Sequence, residues 1–533
     1  MWISHLYRRL EFSISLYMMV SYSCLFGLGA SEETTLATNP QIRGLLQAQD
    51  TQPDRKTAYL TKRAQWLRED AAINFSHGLR LTFEEQILDR RIKAIVKNLQ
   101  TQFLVSNLFC PARNFLSIKN CIETSPLFSI LKKMPKGGIL HLHTSSSGDA
   151  NWLVKRAIAD ENCYIYTQDD GSVLQGKMEV FPKGTAPPGF RPMHELAEKD
   201  NHFITKVVEM ITLTPEDSTS PNPWDKFEAC FERVGGLVYY APIFTDYYRQ
   251  SFEALAADNI QIVELRAGSG EFNGLYDING KIYSSDEVIN IYRDLVGQIR
   301  KKHPDFVLKL IISDIRVIDL ANERCSLETA FKLRSEHPDL VTGYDLVGFE
   351  TTGHTTLFYL DNLLNAAADF SEKYDTDLPY FFHDGESDWA SNLNLYDAVL
   401  LNSRRIGHAF NLFHFPLLMQ KIKQNGICLE ICPISNQVLG YVNDLREHPA
   451  VGYLRHGLPC VISSDDPMLF RTSGLSYDFW EAIMAWNLTL ADIKKLCLNS
   501  IEYSTLDPEE KREAFASWEK AWAQFVHNAL TMH

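Results

Sequence analysis

From residue 138 onward the chain repeats one unit: a short, β-rich apolar run followed by a stretch of helical character. The runs are GILHLHTSS, IQIVELRAG, FVLKLIISDI, LVTGYDLVGFE, LPYFFHDGES, RRIGHAF, GICLEICPIS and LPCVISSDD. Runs that are apolar throughout, rather than at alternate positions, suit strands covered on both faces, as in a parallel sheet. Eight of them separated by helices predict an α/β fold, a (β/α)8 TIM barrel. The 533 residues exceed what a bare barrel requires, and an apolar fraction of 45% supplies a large core.

The surplus length falls in two places. Residues 147 to 259, between the first two runs, are far more than a crossover helix needs. Within them, 160–222 is rich in Gly, Pro and charge (DDGSVLQGK, FPKGTAPPGF, TPEDSTSPNPW) and reads as an inserted subdomain or long loop. Ahead of the barrel (126–533), residues 31–125 form a helical N-terminal extension, with apolar residues at three- and four-residue steps in LTFEEQILDRRIKAIVKNLQ. Thr82 and Glu85 are spaced as a capping box at its start. The extension carries no chemical motif and suits an oligomerisation arm.

Residues 1–30 have two arginines, an apolar stretch and small residues before a polar segment. That is the layout of a secretory signal peptide cleaved after Ala30, with an uncleaved anchor as the alternative. No other segment is apolar for long enough to span a bilayer. The mature chain is therefore expected to be extracellular, with no membrane segment. The sequons Asn74-Phe-Ser and Asn487-Leu-Thr are compatible with that route. A formal charge of −15 with no long basic run argues against nucleic acid or an anionic membrane as the main partner. The scattered cysteines make no disulfide framework; Cys110 and Cys121 could pair in an oxidising compartment, whereas Cys428 and Cys432 look like core packing.

Polar residues collect where a barrel places its chemistry, at the C-terminal ends of the strands. In an extended run, His141 and His143 project to the same face. His383 and Glu386 end the fifth run, His408 the sixth, and Asp465 and Asp466 the eighth. Each has a bland explanation alone, as a core histidine, a helix cap or a loop carboxylate; at one end of successive strands they predict a shared metal site. Three imidazoles and a carboxylate (His141, His143, His383, Asp465) suit one Zn2+ per chain with a place left for water. Glu386 and His408 are then the proton-transfer groups, and Asp466 can hold the water or a substrate edge. No Ser-His-Asp order or P-loop is present. GSGEFNG, at 268 to 274, lacks GxGxxG spacing and reads as a loop.

HLH, HDGES, IGH and SSDDP together resemble the motifs of the metal-dependent adenosine deaminases. The longer stretches MPKGGILHLH, GLVYYAPIFTDYY, GYDLVGFE, EICPISNQVLG, LREHPAV and VISSDDPMLF…GLSYDFW resemble the secreted branch, the adenosine-deaminase-related growth factors, over about residues 56 to 510. The resemblance implies deamination of adenosine or deoxyadenosine, with His141, His143, His383 and Asp465 as zinc ligands. It further implies that Glu386 protonates purine N1, His408 activates or aligns the attacking hydroxide, Asp466 contacts N7, the Gly348 amide binds N3, and Trp224 lines the nucleoside pocket. A homodimer through the N-terminal helices and a cell-surface receptor for the insertion are implied as well.

Two positions depart from the pattern. Thr144 stands where the family carries an aspartate that contacts the ribose, which leaves the sugar preference open. Asp384 stands where HAGE-type motifs carry Ala, either adding charge beside the ligand face or turning away to cap the next helix. Two other functions compete: a related aminopurine deaminase of different substrate preference, and an extracellular signalling protein with little turnover.

Overall fold

A computed structural model describes residues 54–106 and 108–531. The signal peptide expected over 1–30, and the polar residues that follow it to 53, lie outside the described residues. The chain falls into two compact units, 1–71 and 72–533. In the first, the described part belongs to the helix Arg55–Ile73, which buries no side chain. All that follows concerns the second.

The first barrel strand, β1 (Gly137–Ile139), is followed by three strands outside the barrel, β2 (Cys163–Tyr166), β3 (Met178–Val180) and β4 (Phe190–Pro192). The remaining barrel strands are β5 (Ile260–Gly268), β6 (Val307–Ile315), β7 (Val341–Val347), β8 (His383–Asp384), β9 (Arg405–His408), β10 (Cys428–Ile431) and β11 (Cys460–Ile462). They pair in parallel as two four-stranded arcs, β1-β5-β6-β7 and β8-β9-β10-β11. Two parallel bridges join the arcs into a closed barrel: Tyr344 with Tyr380, and Leu142 with Asp465. At the second seam the His143 amide donates to Asp465 O and the Asp465 amide to His141 O, each at 3.2 Å.

The apolar runs therefore form the eight strands of the expected TIM barrel. Their inward faces are less apolar than the runs suggest. On β5, Glu264 and Arg266 share one face while Val263, Leu265 and Ala267 take the other. Arg266 pairs with Asp345 and Glu430, and Arg405 with Glu430 and Glu264, all fully buried or nearly so. A layer of neutralised charge thus fills the barrel beneath its C-terminal end.

Residues 160–222 carry the antiparallel sheet β3-β2-β4 and the helices Met193–Lys199, Phe203–Met210 and Pro215–Ser218. They run directly into the long helix Pro223–Val238, which delivers Trp224. The helix Phe83–Ser106 buries Leu88, Ile92, Val96, Leu99 and Phe103. Its capping box is formed: the Thr82 amide donates to Glu85 Oε2 at 2.7 Å and the Glu85 amide to Thr82 Oγ1 at 3.2 Å. Glu85 also accepts from Trp522 Nε1 at 2.7 Å, tying this helix to the C-terminal helix Pro508–Thr531. Cys428 and Cys432 are buried core thiols, and the Cys110 and Cys121 sulfurs lie side by side, 2.9 Å apart. No helix among the described residues is long and apolar enough to cross a membrane.

Candidate metal centre and substrate pocket

His141 and His143 continue β1, His383 opens β8, and Asp465 follows β11, so three strand ends converge. One ligand atom from each of these four residues lies within 4.8 Å of all the others. His143 Nε2 faces His383 Nε2 at 3.1 Å, and Asp465 Oδ1 stands 3.1 Å from His141 Nε2 and 3.2 Å from His143 Nε2. His141 Nε2 and Asp465 Oδ1 are buried without a hydrogen-bond partner. Orphaned lone pairs converging on one point are what a metal ion satisfies.

The far side of each buried ring explains this aim. His141 Nδ1 lies 2.7 Å from Glu430 Oε2, and His383 Nδ1 lies 2.7 Å from Asp345 Oδ2. Each carboxylate accepts a hydrogen bond from Nδ1–H, fixing the proton there and leaving Nε2 with a lone pair toward the centre. Burial would raise Glu430, but Arg266 and Arg405 outweigh it and hold the carboxyl well below its usual range. Gly407 makes room for the His141 ring, since a Cβ there would stand 2.8 Å from its Cε1. Both His408 (φ 59°) and Asp465 (φ 61°) adopt the left-handed backbone region, a cost typical of functional positions in side chains with a Cβ.

Glu386, His408 and Asp466 stand around this cluster. Burial, and then the charges of Asp465 and Glu350, push the Glu386 carboxyl well above its usual range, so it holds a proton. Glu350 fixes its position: the Gly385 and Glu386 amides donate to the Glu350 carboxylate at 3.1 and 2.6 Å, as do Asn392 and Asn394 at 2.7 Å each. Burial and the charge of Asp465 likewise raise Asp466. Its Oδ1 accepts a short hydrogen bond from Ser146 Oγ.

The tautomer of His408 follows from a chain of donors. The Ala450 amide donates to His448 Nδ1 at 3.1 Å, so neutral His448 carries its proton on Nε2 and gives it to Asn436 Oδ1 at 3.0 Å. Asn436 Nδ2 must then donate to His408 Nδ1, 3.2 Å away. Burial keeps both rings neutral, His448 at about 3 and His408 well below 6.5. The His408 proton therefore sits on Nε2, which faces Glu386 Oε1 at 3.6 Å and Asp465 Oδ2 at 3.9 Å.

A cavity of about 470 Å3 opens beside the cluster, and His143, Thr144, Trp224, Gly348, Glu386 and Asp466 are among its lining residues. His383 and Asp465 reach it as well, while His141 and His408 stand just behind. Every site residue expected from the sequence is thus in or against one cavity. Trp224 is both wall and core: it stacks on Phe349 at 4.6 Å and donates from Nε1 to Tyr441 at 2.9 Å. Gly348 needs its glycine at φ +99°, and a Cβ there would meet nothing nearer than 3.9 Å. Asp384 neither adds net charge to the ligand face nor caps a helix. It is buried, 2.6 Å from Arg316 and 2.7 Å from the Thr356 hydroxyl.

Sequence reasoning passed over Asp345, Glu430, Glu350 and Asn436. The first two carried a signal, a lone carboxylate within an apolar parallel strand, which has to find a buried partner. Glu350 and Asn436 offered none beyond lying near strand ends.

With this geometry in place, the adenosine deaminase family model matches residues 195–520. Adenosine deaminase 2 of Sus scrofa is 36% identical over 484 residues, covering 87% of this chain and 93% of its own. Adenosine deaminase 2 of Homo sapiens is 34% identical over 486 residues, covering 88% and 93%. Among solved structures, the N6-methyl-AMP deaminase of Arabidopsis thaliana superposes with a TM-score of 0.52 at 18% identity, covering 74% of this chain and 99% of its own. The adenine deaminase of Arthrobacter aurescens gives a TM-score of 0.53 at 20% identity, covering 73% and 99%. Those two likenesses carry the fold alone.

Proposed function

The chain belongs to the adenosine deaminase family, metal-dependent hydrolases that deaminate adenosine, and from that premise we propose that it converts adenosine and 2′-deoxyadenosine, with water, to inosine and 2′-deoxyinosine plus ammonia at a zinc centre. His141, His143, His383 and Asp465 are the ligands of this reading; three imidazoles and one carboxylate are a zinc donor set. Zinc held by these four residues would supply Lewis acidity, making water a competent nucleophile near neutral pH.

The remaining steps belong to the chain's own side chains. Glu386, kept protonated, donates to purine N1 and so makes C6 electrophilic. His408 presents an N–H, not a lone pair, toward the centre, which suits it to align the nucleophile's oxygen rather than deprotonate it. Asp466, also kept protonated, has a proton to offer N7. The Gly348 amide meets N3, and Trp224 with Phe349 forms an aromatic wall for the nucleoside.

The proposal extends to biology that the family resemblance and the N-terminal layout support: secretion after removal of residues 1–30, a homodimer through residues 31–125, and a receptor-binding role for the 160–222 insertion. The observation that carries the enzymatic reading is the convergence of four lone-pair atoms beside a carboxyl held protonated. It is tested by ammonia release from adenosine, deoxyadenosine, AMP and adenine, with Glu386→Gln and a chelated sample as controls. Adenosine turnover lost in both controls is expected. Turnover confined to another aminopurine would move the substrate, and a zinc-loaded but inert protein would favour the signalling role.

A further inference from the structure

The Cys110 and Cys121 sulfurs, 2.9 Å apart, bracket a loop that the mechanism above does not use. Cys110 opens the short turn Cys110–Ala112 and is 3% exposed; Cys121 sits on the helix Phe115–Glu123 and is partly exposed. Asn114 caps that helix through Oδ1, and its Nδ2 donates to Ser218 Oγ in the insertion at 2.7 Å. Lys119 donates to the Arg471 carbonyl.

A single side chain takes hold of this loop from the barrel. Gln437 Oε1 accepts from the Phe115 amide at 2.8 Å, and Gln437 Nε2 donates to the Arg113 carbonyl at 3.0 Å. Both backbone groups lie between the two cysteines. Gln437 belongs to the helix Pro433–Val438, and the two residues before it face the centre. Ser435 Oγ donates to Asp465 Oδ2 at 2.7 Å, and Asn436 Nδ2 to His408 Nδ1 at 3.2 Å. The path from the sulfurs to a metal ligand runs through one short loop and one glutamine.

We propose that Cys110 and Cys121 close a disulfide when the chain meets an oxidising compartment, and that the closed loop clamps the helix Pro433–Val438, keeping Ser435 and Asn436 on the candidate metal centre. Bonding asks the sulfurs to move by under about 1 Å. The oxidant is another disulfide, small-molecule or protein. The Cys121 thiolate attacks it, giving a mixed disulfide and one thiol; Cys110 then displaces the second thiol. Two protein thiols are oxidised while one disulfide is reduced to two thiols. Gln437 is a positioning residue. The clamp rests on the secretion and metal binding proposed above, not on the identity of the substrate.

The test uses the full chain, loaded with zinc, reduced with a phosphine and then incubated with glutathione disulfide. It is denatured in excess alkylating agent and digested with trypsin, which cuts at Arg113 and Lys119 between the cysteines. Two peptides joined through Cys110 and Cys121 are expected. The oxidised form should melt about 2–5 °C above the reduced one and give up zinc to a chelator about three- to tenfold more slowly. Cys110→Ala with Cys121→Ala should match the reduced wild type and ignore the oxidant. Oxidised Gln437→Ala should release zinc as fast as the reduced wild type, and reducing it should add under about a factor of two. Separately alkylated cysteines would overturn the bond. Higher melting with unchanged zinc release, or reduction that speeds release equally in Gln437→Ala, would overturn the clamp. A chain that takes up no zinc in either form overturns the metal reading and the clamp with it; one that closes the bond but is not exported by a eukaryotic cell overturns the secretion reading alone.

Discussion

Glu430 and His141 lie 2.7 Å apart at the floor of the candidate metal centre, and the same carboxylate is gripped from behind by Arg266 and Arg405. One side chain therefore orients the His141 ring and, with Asp345 and Glu264, balances two buried cations. Glu430→Gln keeps the shape and removes the charge. Metal affinity should fall about 10- to 100-fold in chelator competition. Stability should drop by about 1–3 kcal/mol in denaturant titration, because each guanidinium loses one of its two carboxylate partners and keeps the other, Asp345 or Glu264. A variant that melts early but binds metal normally would show that the carboxylate serves only the charge layer.

Glu386 has a different position, apart from the charge layer and facing His408 Nε2 at 3.6 Å. Glu386→Gln should lower kcat by about 10^2- to 10^4-fold while metal content and nucleoside affinity stay within a few-fold of wild type. Loss of metal in this variant, read by elemental analysis, would refute a role confined to proton transfer.

His448 reaches the centre only through Asn436 and His408. His448→Phe keeps the volume and cuts the donor chain, freeing His408 to put its proton on either nitrogen. We expect kcat to fall about 10-fold with KM nearly unchanged, since an alignment and not a binding contact is lost. Equal changes in kcat and KM would show that only packing was disturbed.

Asp478 and Glu481 do not line the cavity and are fully buried on the helix Ser476–Trp486. Neither Glu481 oxygen has a hydrogen-bond partner, and Asp478 Oδ2 has none. Burial pushes both carboxyls well above their usual range, with the Asp478 charge adding to Glu481. The folded state thus binds more protons than the unfolded one. Their stabilising contribution is complete below the unfolded carboxyl range, about pH 4, and is lost as pH rises toward the folded values. Glu481→Gln should flatten that decline between about pH 5 and 8; denaturation midpoints that fall with pH just as in wild type would exclude Glu481 as its source.

The two sequons differ in the same physical terms. Asn74 Nδ2, the atom a glycan would occupy, donates to Asp492 Oδ1 at 3.2 Å and Ser76 Oγ at 3.3 Å. Asn487 is exposed at the C-terminal end of the helix Ser476–Trp486, with φ 57°. Expression through a eukaryotic secretory route should place a glycan on Asn487 and leave Asn74 bare in peptide mapping. Occupancy at Asn74 would mean that its hydrogen bonds are dispensable.

The barrel was legible because its strands are short apolar runs at regular intervals, and the ligands because they end those runs. Side-chain direction off the strands was not legible. Asp384 looked like an added charge beside the centre, yet Arg316 from β6's end neutralises it, a pairing that only tertiary structure brings about. Glu271, which lines the cavity, was passed over for the same reason: GSGEFNG is a loop-like turn, and nothing in its spacing says which of its residues faces the cavity. The inward charges of β5, β9 and β10 broke the apolar pattern without naming their partners. The insertion's own sheet is assembled from strands of three or four residues, too short for periodicity to register.

The seam between β1 and β11 is stitched by the backbone of the residues whose side chains make the centre: His143 to Asp465, and Asp465 to His141. The three imidazoles come from β1 and β8 and the carboxylate follows β11, so the four side chains share one point only while the ring is closed. Assembling the site and shutting the barrel are thus one event, and opening this seam would scatter the donors.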